Sequence, residues 1–106
     1  MIKVTILLCE TLSLFELGCA TELFALPRPE FKNWYQTHTV TLGRQTLEGM
    51  GNTVFQCPAV EQLPATDLLV IPSFPVSIER IEPRLASEVR RHYDQGGRII
   101  SFCSVS

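Results

Sequence analysis

Residues 2–8 (Ile-Lys-Val-Thr-Ile-Leu-Leu) and 67–72 (Asp-Leu-Leu-Val-Ile-Pro) are apolar, β-branched runs of strand length, separated by a segment with helical punctuation. Such runs suit strands covered on both faces, as at the centre of a parallel sheet with helices above and below. Pro72 ends the second run, and residues 98–102 supply a third that leads straight into Cys103. Strands alternating with helices imply right-handed crossovers. The expected fold is therefore α/β: a flavodoxin-like parallel sheet flanked by helices, with a small β-hairpin.

The first helix is well marked. Ser13 is placed to cap it, Glu16 follows three residues on as in a capping box, and Leu12 can staple to Leu17. Leu14, Leu17, Leu23 and Phe24, with small Gly18 and Ala20 between them, offer a stripe to pack on the sheet, and Pro27 and Pro29 stop the helix. Gly18 costs about 1 kcal/mol against alanine, which suggests a close approach of helix and sheet there. Residues 38–42 read as a second strand. Residues 46–57, with Gly49 and Gly51-Asn52 inside, read as a hairpin. Pro83 opens a later helix whose Leu85, Ala86, Val89 and Tyr93 recur on one face. Arg90, Arg91 and His92 fall in its last turn, and Gly96-Gly97 ends it.

With 106 residues the chain fits one domain, since two cores would each be too small to offset their chain entropy. At 45% hydrophobic and 19% charged residues it is expected to fold around a core. A net charge of −2 supplies no general attraction to phosphate, so direct nucleic-acid binding by this segment is disfavoured. Arg84, Arg90, Arg91 and Arg98 are interleaved with Glu79, Glu82, Glu88 and Asp94, which reads as a mixed solvated helix face. The apolar stretches are strand-sized or interrupted, so no membrane span is expected, and the start of the chain does not read as a signal peptide. A cytoplasmic location is the simplest expectation. Cys9, Cys19, Cys57 and Cys103 have neither zinc-site nor disulfide-framework spacing, so reduced thiols are expected, with no metal and no cofactor.

In parallel sheets of this kind ligands gather beyond the carboxyl ends of the strands. Cys9 and Glu10 after the first strand, Ser73 and Phe74 after the 67–72 strand, and Cys103 and Ser104 after the last are all delivered to that rim, with Glu16 near it. A thiol at a strand-to-helix turn gains acidity from the helix terminus, and a neighbouring carboxyl can move its proton. Cys103 and Glu16 are therefore the candidate catalytic pair, and Cys9, Glu10, Ser73, Phe74 and Ser104 the candidate ligand-binding residues. Each has a plainer reading: a buried structural thiol for Cys103, helix capping for Glu16. Trp34 and Tyr35 either form an interface or cover the sheet edge.

Phe15-Glu16-Leu17, Thr21-Glu22-Leu23-Phe24, the 67–72 strand and Gly96-Gly97-Arg98-Ile99-Ile100-Ser101-Phe102-Cys103-Ser104 together resemble ThiJ/PfpI-like domains of the class I glutamine-amidotransferase-like type. They are most similar to the domains at the N-terminus of AraC-type transcription regulators, and to the related isonitrile hydratases. The resemblance runs from Lys3 to Ser104. It implies that Cys103 is the elbow cysteine, that Glu16 is the acidic residue facing it in catalytic members, and that Glu22 is structural. Several residues depart from the catalytic pattern. Ser73 and bulky Phe74 stand where a small pair is usual, and Val105 stands where glycine keeps the elbow open. The histidine that some members use lies downstream of the elbow, and His38 and His92 fall in the wrong segments to replace it.

Two functions follow from the resemblance. One is a non-catalytic ligand-sensing or dimerisation domain of an AraC-type regulator, binding a small molecule or a second copy of itself while a separate helix-turn-helix region contacts DNA. The other is a cysteine-dependent hydratase or hydrolase acting on a small molecule. Residues 1–106 are expected to be the N-terminal part of one such domain. An incomplete domain would expose an unpaired strand edge, so a homo-oligomer is expected.

Overall fold

The computed structural model describes residues 2–9, 14–26, 30, 35–43, 45–72 and 83–101. The strands are β1 (Lys3–Leu8), β2 (Gln36–Leu42), β3 (Thr46–Glu48), β4 (Val54–Gln56), β5 (Ala59–Val60), β6 (Leu68–Ile71) and β7 (Arg98–Ser101); the helices are α1 (Leu14–Ala20) and α2 (Pro83–Asp94). Five strands form one sheet in the order β5-β2-β1-β6-β7, and every pairing within it is parallel. Leaving out the two-residue β5, the order second-first-third-fourth is that of a flavodoxin-like sheet. β1 lies at its centre, as its apolar run requires.

The pleat sends alternate β1 side chains to opposite layers. Val4, Ile6 and Leu8 join Val70, Ala20 and Phe24 on the α1 side, while Leu7 joins Val40, Leu69, Ile71 and Leu85 on the α2 side. Thr41, 1% exposed, carries a hydroxyl for which the described residues offer no hydrogen-bond partner. Valine has nearly the same shape without that desolvated oxygen. Thr41→Val is therefore expected to raise stability by about 1 kcal/mol, read from the denaturant midpoint.

α1 runs on into a wider, π-type turn over Thr21–Ala25. The Thr21 hydroxyl donates to the carbonyls of Leu17 and Gly18, both at 3.1 Å, and this side-chain competition loosens the backbone ladder at that point. Leu26 leaves the helix with extended dihedrals, as the residue before a proline prefers. Two expectations for this helix fail. Ala20 and Phe24 are buried and Leu17 partly so, but Leu14 and Leu23 face outward. Among the described residues a side chain at Gly18 would have nothing within 4 Å, so no close approach to the sheet explains that glycine. Ser13, Leu12 and the prolines lie outside the described residues. Tyr35 packs edge-on against Phe24, with ring centroids 5.2 Å apart, and so belongs to the α1-side core.

The hairpin forms as expected. β3 and β4 pair antiparallel, and the turn between them holds Gly51 and Asn52 at positive φ. β5 escapes sequence reading because two residues leave no periodicity; it pairs with the end of β2 through Thr41 and Leu42.

α2 starts at Pro83, as expected, but is turned relative to the expected face. Leu85, Glu88 and His92 are buried, with Val89 partly so, whereas Ala86 and Tyr93 are exposed. The helical period was right, and two polar residues occupy the inward row. Gly96, with φ +85°, closes the helix: the Gly97 N–H reaches back to the His92 carbonyl and the Gly96 N–H to that of Tyr93, both at 3.0 Å.

Candidate functional site

All strands of the main sheet run parallel, so β1, β6 and β7 leave the sheet at one edge, just beyond Leu8, Ile71 and Ser101. Glu16, in the first turn of α1, is partly exposed. Cys9 directly follows β1 and is buried in the α2-side layer beside Leu7, Val40 and Leu85. Glu10, Ser73, Phe74, Cys103 and Ser104 lie outside the described residues, as do Trp34 and Val105. The structure therefore brings the exits of the three strands to one rim, and describes only Cys9 and Glu16 of the seven candidate residues there.

Cys9, Cys19 and Cys57 form no disulfide. Burial pushes the Cys57 thiol above its ordinary pKa, the opposite of the shift that activates a nucleophile. Among the described residues no group of three His, Cys, Asp or Glu side chains stands ready to hold a metal ion, and no helix is long and apolar enough to cross a membrane.

Two buried polar side chains of α2, Glu88 and His92, tie that helix to the rest of the fold. Glu88, expected to be solvated, is 8% exposed. Its Oε1 accepts from the Leu63 N–H at 2.7 Å and from Arg91 Nη2 at 2.6 Å, and the same Arg91 nitrogen donates to the Leu63 carbonyl at 3.0 Å. One ion pair thus saturates both backbone groups of Leu63 and ties α2 to the segment before β6. The hydrogen bond from Arg91, outweighing burial, holds the Glu88 carboxyl below its usual range. At the start of α2, Arg84 bridges to Glu61 at 3.1 Å, an exposed pair of little energetic weight.

His92, 6% exposed, has its Nε2 2.8 Å from the Arg98 carbonyl. A carbonyl only accepts, so Nε2 carries the proton. The ring rests on Gly97, where any β-carbon would collide with it. This contact sits at the amino-terminal edge of the sheet, opposite the strand exits, beside a groove of about 1160 Å³ whose walls include Phe24, Tyr35, Leu68, His92 and Ile100. That volume exceeds the roughly 300–1,000 Å³ of ordinary small-molecule pockets. Sequence reading missed the groove because its walls come from segments far apart in the chain, none bearing a motif.

The fold and the common rim define an α/β chain of flavodoxin-like topology. No family model matches its sequence, and a comparison with curated proteins found no match. Solved structures do match. An AraC family transcriptional regulator from Pseudomonas putida superposes with a TM-score of 0.78 at 14% identity, over 95% of this chain and 64% of that one. A putative transcriptional regulator protein from Vibrio parahaemolyticus gives a TM-score of 0.60 at 24% identity, over 95% of this chain and 56% of that one. These likenesses establish the fold. The chain spans less than two thirds of the length of either structure.

Proposed function

We propose that this chain is the N-terminal part of a ThiJ/PfpI-like domain that serves an AraC-type transcription regulator in the cytoplasm as its ligand-sensing or dimerisation module, without catalysis. The observation that carries this reading is the superposition of 95% of the chain on a regulator of the AraC family with a TM-score of 0.78. The sequence supports it from a second side. In the sequence Phe74 stands where the resemblance implies a small pair after the 67–72 strand, and Val105 where it implies the elbow glycine, while the negative net charge leaves DNA contact to a separate helix-turn-helix region.

The test is a fusion of the 106-residue chain to a DNA-binding domain that represses a reporter only as a dimer. The expected result is repression that depends on the fused chain and is lost when the core is broken by Ile6→Asp, with expression level checked by blotting. No repression from a well-expressed, folded fusion would contradict the dimerisation role.

A further inference from the structure

We draw no further inference here: the strongest candidate, the groove at the amino-terminal edge of the sheet walled by Phe24, Tyr35, Leu68, Arg98 and Ile100, is a mostly apolar face, and nothing in the structure shows what covers it.

Discussion

Glu88→Ala is expected to destabilise the chain by about 2–3 kcal/mol, the largest effect of any polar substitution on α2. The carboxylate is buried and satisfies the Leu63 N–H and Arg91 at once, so its removal strands a backbone donor and a cation that is itself only partly exposed. The Coulomb gain of an exposed pair such as Arg90–Asp94 is much smaller, and Asp94→Ala is expected to change stability little. The pH dependence carries a definite sign. Glu88 has a folded-state pKa below its unfolded value of about 4.3, so its contribution is complete above that value and is lost as pH falls through the folded pKa. Urea midpoints of wild type and Glu88→Gln should differ at pH 7 and converge only once pH has fallen through the lowered folded-state pKa of Glu88. A gap that persists into acid would show that the ionised pair is not what holds α2.

Gly97→Ala is expected to cost a similar 2–3 kcal/mol, by overpacking. The added methyl would occupy the His92 ring position, so the ring has to leave its buried site and give up its bond to the Arg98 carbonyl. Because one contact causes both losses, the double variant Gly97→Ala/His92→Ala should be clearly less destabilised than the sum of the singles, and calorimetric melting of the four proteins measures that coupling. Additive effects would mean that the ring and the glycine do not constrain each other.

Much of the fold was readable because its signals are local. The run over residues 2–8 announced a central strand, Pro83 and Gly96-Gly97 bracketed α2, and Gly51-Asn52 marked the hairpin turn. What escaped depends on tertiary contacts. The helical pattern does not tell that backbone outside the helix, at Leu63 far back in the chain and at Arg98 just past the closing turn, compensates the burial of Glu88 and His92, so Ala86 and Tyr93 looked like the better inward residues. Leu23 was assigned to the core on regular 3.6-residue spacing, and the wide turn seeded by Thr21 rotates it outward. Of the proposed rim, the common exit of β1, β6 and β7 followed from their alternation with helices. The groove at the other edge had no motif to announce it.

Under the proposed function, the rim where these strands end holds no activated nucleophile. The pH profile of iodoacetamide alkylation tests it most directly, measured on a chain in which Cys103 is the sole remaining cysteine. The account predicts rates that rise only as pH approaches the ordinary thiol pKa of about 8.5, unchanged by Glu16→Gln. Rapid alkylation well below pH 8 that Glu16→Gln abolishes would contradict it and establish a working cysteine-carboxylate pair.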